Sequence, residues 1–209
     1  MGNYHQDLLP GHTYHLFSRA VGSERLFLNA ENYRFFLRKL KQHTAGVCRF
    51  YCYSLLPNHF HLLGLIIDEA EIESHFREVK KKEFISSEHC LSDFIMERFS
   101  NFLNSYTKSF NKSYNRKGAL FLDYLKRSVV MQESDFISFV WYIHKNAAHH
   151  GLVKKIGEWK YDSYNFLISE SSTSLLRDEV LEWFGGRRFF IEFHNQTIDP
   201  KIDILDTDL

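Results

Sequence analysis

Leu55-Leu56-Pro57-Asn58-His59-Phe60-His61-Leu62-Leu63-Gly64-Leu65-Ile66-Ile67 reads as the turn and second strand of a β-hairpin. Pro57-Asn58 is a turn signal. The residues before it, Val47-Cys48-Arg49-Phe50-Tyr51-Cys52-Tyr53-Ser54-Leu55, are rich in strand formers. Side chains alternate along a strand, so His59 and His61 share one face and Phe60 takes the other. Two neighbouring imidazoles on one face suit a divalent metal. They also suit a pair of half-exposed histidines on a sheet edge, and the tripeptide alone does not choose.

Working outward, residues 12–20 alternate and carry Tyr14, Leu16 and Phe17, a first strand. Val21-Gly22-Ser23 turns the chain. Asn29 caps a helix starting near Ala30, whose Tyr33, Phe36, Leu37 and Leu40 form an apolar stripe. Residues 68–90 predict a short helix and a charged loop. Residues 91–110 predict a long helix, with Leu91, Phe94, Ile95, Phe99, Phe102, Leu103, Tyr106 and Phe110 at three- and four-residue steps. A strand is expected over 119–130. The order βαββαβ is that of a ferredoxin-like antiparallel sheet with helices on one face, an α+β fold. A late helix follows from about Ser134 to His150, with Gly151 as its stop. The tail from Ser171 holds one amphipathic segment, 175–184, broken by Gly185-Gly186; it reads as a peripheral addition. The expected division is a domain over 1–167 and an acidic extension over 168–209.

Net charge is zero over 209 residues, which argues weakly against nucleic acid. The distribution argues otherwise: from Asp162 onward ten acidic residues face four basic ones, so the preceding residues carry the compensating positive charge. Lys108, Lys112, Arg116, Lys117, Lys126 and Arg127 stand against Asp123 alone, a density compatible with phosphate contacts or with a solvated face. Cys48, Cys52 and Cys90 form no CxxC pair, which points to a reducing compartment. No apolar run approaches a membrane span, and a cytoplasmic location is expected.

Tyr142 and Asn146 lie four apart on the late helix, so a phenol and an amide oxygen project together. Packed over the His59/His61 face, they would complete a site of two imidazoles, one carbonyl oxygen and one nucleophile. Such a set suits Mg²⁺ or Mn²⁺ with water and phosphate completing the shell, and Tyr142 would attack phosphorus. Each residue also has a plainer reading, as a buried aromatic and a helix-end polar contact. Tyr106 and Tyr114 are alternative nucleophiles, but neither has Asn or Gln four residues on. His144, two residues from Tyr142, is expected at the surface. His149 and His150 suit a helix C-terminus. His12 and His15 lie near the first strand, with nothing in the sequence to bring them to the site.

Leu56-Pro57-Asn58-His59-Phe60-His61-Leu62-Leu63 closely resembles the HUH segment of the single-tyrosine transposases, the insertion-sequence transposases and REP-associated tyrosine transposases. Residues 141–153 resemble the family's late helix, Gly118-Ala119-Leu120-Phe121 with Lys126 the strand before it, residues 14–29 its opening, and residues 159–164 its closing aromatic segment. The resemblance covers about 10–167. It implies divalent-metal-dependent cleavage and transfer of single-stranded DNA through a 5′-phosphotyrosine. It implies His59, His61 and Asn146 as ligands of Mg²⁺ or Mn²⁺ and Tyr142 as nucleophile. Hairpin-forming DNA is the implied partner, with a homodimer left open. The basic residues between Lys108 and Arg127, and Arg19, are DNA-contact candidates by position and charge. Ala147 stands where the family's pattern has Pro, and the acidic tail has no counterpart in it. Two rival readings remain: a domesticated hairpin binder that does not cut, and a metal hydrolase using activated water, for which no HExxH motif is present.

Overall fold

The computed structural model describes residues 5–196. Four strands form one antiparallel sheet in the order β2-β3-β1-β4, with β1 Thr13–Arg19, β2 Cys48–Leu56, β3 His59–Ile66 and β4 Lys126–Val129. That order and the elements between the strands are ferredoxin-like, as the βαββαβ pattern implies. Helices α1 (Ala30–Thr44) and α3 (Leu91–Ser113) pack together on one face, with α2 (Glu69–Lys80) against α3. Asn29 caps α1, its side chain accepting from Asn32 N–H. The core on this face joins Tyr14, Leu16, Phe60 and Leu62 of the sheet to Phe36, Phe99, Phe102 and Tyr106.

Helix α4 (Glu133–His149) lies on the opposite face. It ends at Gly151, whose positive φ of 68° is the left-handed conformation that stops a helix. Its residues Phe136, Phe139, Val140 and Ile143 cluster with Tyr51, Cys52 and Leu63 of the sheet.

Two sequence expectations need correction. The strand expected over 119–130 is only four residues long. Before it the chain makes a single bridge, Ala20 to Phe121, because Leu120, Phe121 and Leu125 anchor without strict alternation while Leu122 and Tyr124 face solvent. The tail is also no peripheral addition as far as residue 196. Helices α5 (Tyr164–Ile168), α6 (Arg177–Trp183) and α7 (Arg187–His194) bury Leu167, Val180, Phe184 and Phe190 in the same cluster as α4.

His144, expected at the surface, is buried in that second core. The tail packs beside α4 along the β2 edge, where Ser163 bonds to Tyr53 and Leu176 to Phe50, so the flank of α4 that carries His144 does not face water. A relay fixes the protons there. His194 Nδ1–H donates to the Phe190 carbonyl at 2.8 Å, leaving Nε2 to accept from His144 Nδ1–H at 3.0 Å. His144 Nε2 then accepts from Ser163 Oγ–H at 2.8 Å, and Ser163 Oγ accepts from Tyr53 N–H at 2.9 Å. Every member is satisfied with both imidazoles neutral, and the Tyr53 carbonyl stands 3.2 Å from Ser163 Oγ as a second acceptor.

Burial holds His144 well below its ordinary pKa and His194 at about 4, the latter opposed by its bond to Phe190. In the unfolded chain both take protons near pH 6.5. The unfolded state therefore binds more protons below that pH, and stability falls as pH drops from 6.5 towards 4, by about 1.4 kcal/mol per pH unit per histidine. His194→Phe is expected to cost about 1–3 kcal/mol at pH 7.5, by stranding His144 Nδ1–H, and to flatten the acid slope by one proton. Urea midpoints at pH 7.5, 6 and 5 check both; an unchanged slope would contradict the relay.

Candidate active site

Strand pairing lays the site out in rows. His61 stands between Ser54 and Phe17, and Phe17 pairs onward with Lys126. His59 stands between Leu56 and Arg19. Directly opposed residues of an antiparallel pair share a face, so Arg19 and Lys126 flank the two histidines on the face that α4 covers. Phe60 and Leu62 enter the other core, which is why alternation across His59-Phe60-His61 was legible from sequence.

Helix α4 brings the second half. Asn146 Oδ1 is 3.0 Å from His59 Nε2, and the Tyr142 ring stands edge-on to His61 with centroids 5.6 Å apart. The four residues that the sequence paired as two separate motifs therefore meet within one chain. Tyr106 and Tyr114 do not join them. Tyr106 is buried on the other side of the sheet, its hydroxyl donating to the Leu26 carbonyl at 2.5 Å. Tyr114 O–H donates to Asn32 Oδ1 and its oxygen accepts from Asn29 Nδ2.

The polar groups are short of protons. His59 Nδ1 lies 2.9 Å from Asn58 Oδ1 while its Nε2 faces the Asn146 oxygen. A neutral imidazole has one N–H and cannot donate to both oxygens. Burial pushes His59 down to about 4, against the opposing influence of Asn146, and pushes His61 well below the ordinary range. Both rings are thus neutral at physiological pH, the form that ligates metals. His61 Nε2 and Asn146 Nδ2 are buried with no partner.

A proton on the second nitrogen would satisfy both oxygens, but burial opposes that charge; a divalent cation at Nε2 would also resolve the arrangement. Two cis ligands about 2.1 Å from an octahedral ion stand about 3.0 Å apart, the separation found between His59 Nε2 and Asn146 Oδ1. His59, His61 and Asn146 therefore fit a divalent ion. Among the described residues no group of three or more His, Cys, Asp or Glu forms a metal-holding set; the set here is two imidazoles and an amide oxygen.

Two histidines that the sequence did not bring to the site are there. His15 Nε2 is 2.9 Å from His61 Nδ1, and the His150 ring lies 5.0 Å from that of His59. For His15 the missing signal was the β1–β3 register, which no local pattern carries. His150 follows from helical periodicity, lying one turn beyond Asn146.

The cationic candidates divide. Arg127 points into the opposite core, donating to the carbonyls of Gln6, His5 and Leu125. Arg116 is bound to Glu24, Asn111 and the carbonyls of Gly118 and Ala119. Both hold the chain together, so neither guanidinium is open to DNA. Lys108 and Lys112 are exposed on α3, across the sheet from the histidines, and Lys117 is exposed in the loop beyond it. Arg19 and the half-buried Lys126 share the site's face, the latter 6.0 Å from the Phe17 ring centroid.

The architecture, a four-stranded antiparallel sheet with helices on both faces, is similar to that of a solved tyrosine transposase. A solved REP-associated tyrosine transposase bound to a REP hairpin superposes with a TM-score of 0.59 at 14% identity, over 81% of this chain and 87% of that one. At that identity the likeness is one of fold. No family model matches the chain, and no curated protein does. No helix among the described residues is long and apolar enough to cross a membrane.

In chelator, Asn146→Leu removes one of two opposed acceptors and an orphaned N–H₂ at near-constant volume. The metal-free variant is expected to be more stable by about 1–3 kcal/mol, at about 2–4 °C in Tm per kcal/mol for a chain of this length. A lower Tm would show that the amide is a satisfied structural group.

Proposed function

We propose that this protein nicks and transfers single-stranded, hairpin-forming DNA through a covalent 5′-phosphotyrosine at Tyr142, with a divalent ion held by His59, His61 and Asn146. The observation that carries this reading is the meeting of Tyr142 with His61 and of Asn146 with His59 in one chain. The fold neighbour, solved with a REP hairpin, supports the choice of DNA.

Bound Mg²⁺ or Mn²⁺ would polarise the scissile phosphate and offset charge developing on its oxygens. The chain's own residues do the rest. Tyr142 presents its phenolic oxygen from the rigid middle of α4, so attack needs little reorganisation. Its oxygen bonds to phosphorus as the bond to the 3′-oxygen breaks, and the phenolic proton is balanced by the one gained at the freed 3′-hydroxyl. The 5′-phosphate stays on the tyrosine, keeping the ester bond for rejoining to another 3′-hydroxyl, which hydrolysis would discard. His59 and His61, neutral and buried, bring no positive charge of their own to oppose the cation. Arg19 and Lys126 supply the phosphate contacts that position the strand.

Incubation of the protein with end-labelled hairpin DNA and Mn²⁺, followed by denaturing electrophoresis, is expected to give a protein–DNA adduct that Tyr142→Phe abolishes. Binding with no adduct under either metal would support the non-cutting hairpin binder; cleavage surviving Tyr142→Phe would support the hydrolase. Arg19→Ala with Lys126→Ala is expected to weaken hairpin binding by about tenfold at physiological salt and to reduce the salt slope by about two. Lys108→Ala with Lys112→Ala, across the sheet, is expected to change it less. Equal effects would place the DNA on the wrong face for this account.

A further inference from the structure

His15 lies in the middle of β1, one row from His61 on the same face. Its ring is fully buried and stacked on three others: Phe17 at 4.8 Å, Phe139 at 5.0 Å and His61 at 5.1 Å, with Tyr142 edge-on at 6.4 Å. Three stacked neighbours from three elements leave the imidazole no room to turn. Between His15 Nε2 and His61 Nδ1, 2.9 Å apart, there is one hydrogen bond. The outer nitrogens of the pair, His15 Nδ1 and His61 Nε2, are buried and have no partner.

A hydrogen bond between two neutral imidazoles uses one N–H and one lone pair, so the pair has two arrangements. In one, His61 Nδ1–H donates to His15, and His61 Nε2 carries a lone pair. In the other, His15 Nε2–H donates to His61, and His61 Nε2 carries a hydrogen. The protein contacts do not separate them, since each satisfies the same number of groups. They differ at one place: whether His61 turns a lone pair or a hydrogen towards the space it shares with His59 and Tyr142. Only a lone pair binds a cation.

We propose that His15 is a positioning residue for the metal centre: it accepts from His61 Nδ1–H and so gives the tautomer whose Nε2 can ligate a partner that it would otherwise lack. The inference rests on the reading that a divalent ion sits at His59, His61 and Asn146. Outer partners of ligating histidines are usually carboxylates, carbonyls or water. An imidazole does the same work without adding charge. It holds the ring and supports the ligating tautomer, but leaves His61 a weaker donor than a carboxylate partner would.

The test reads tautomer and affinity separately. In metal-free ¹⁵N-labelled protein at neutral pH, two-bond ¹H–¹⁵N spectra should show a population of His61 protonated at Nδ1 and bare at Nε2. In His15→Phe, which keeps the stacking and removes the acceptor, the His61 signals should move towards the Nε2–H tautomer. Mn²⁺ affinity in that variant, by calorimetry or electron paramagnetic resonance, should fall about 10–100-fold. His15→Gln, whose amide oxygen can take the place of Nε2, should restore the Nδ1–H form and most of the affinity. If His15→Phe does not fold, the wild-type and His15→Gln spectra still decide.

A wild-type His61 protonated at Nε2 alone, or undiminished Mn²⁺ affinity in folded His15→Phe, overturns this inference. Either result leaves the metal site standing if Mn²⁺ binding is lost in Asn146→Leu. Absence of Asn146-dependent Mn²⁺ binding in the wild type instead overturns the metal reading, and this inference with it.

Discussion

The packing of α4 across the β2–β3 face is the constraint on which the site depends. Phe136, Phe139, Val140 and Ile143 fit against Tyr51, Cys52 and Leu63, and that apolar fit sets the rotation and the height of the helix. A helix rises about 5.4 Å per turn. A slip of one turn would carry Asn146 away from His59 and Tyr142 away from His61, undoing a contact now 3.0 Å long between residues 87 positions apart. The polar site is therefore built by apolar packing on either side of it. The tail contributes to that packing: Val180, Phe184 and Phe190 join the same cluster, with Phe190 against His144 on the flank of the helix.

Against this well-packed frame stands a cluster of groups that folding alone does not favour. His15 Nδ1, His61 Nε2 and Asn146 Nδ2 are buried without partners, and a neutral His59 has one N–H for the two oxygens that face it. Unmade hydrogen bonds of this kind cost about 1–3 kcal/mol each. The contrast with the His144–His194 relay is instructive. Both are buried histidine clusters in one core, yet the relay ends on Ser163 and the Phe190 carbonyl with every group satisfied. Three such groups stand together beside Tyr142, while others are scattered through the fold, at His43 and His75 among them.

The sequence carried what depends on short-range periodicity. Alternation assigned His59 and His61 to one face, the four-residue step joined Tyr142 to Asn146, and the βαββαβ order anticipated the sheet. It did not carry what depends on long-range register or on a second layer. His15 meets His61 only through the β1–β3 pairing. His144 was expected in solvent because helical periodicity gives one face to the sheet and says nothing of tail helices on its flank. Arg116 and Arg127 counted as basic surface by position, while the fold turns them into clamps on Glu24, on backbone carbonyls and on the N-terminal segment. Charge along a chain locates guanidinium groups, not the direction in which they point. Residues 197–209, which include part of the acidic extension, lie outside the described residues.

The central claim is that one chain holds a divalent ion within reach of its own tyrosine. Anomalous diffraction from crystals soaked in Mn²⁺ addresses it directly. The account predicts a single strong peak about 2.1 Å from His59 Nε2, His61 Nε2 and Asn146 Oδ1 of one protomer, on the side facing Tyr142. No peak there, or a peak shared with the Tyr142 of a second protomer, would contradict it.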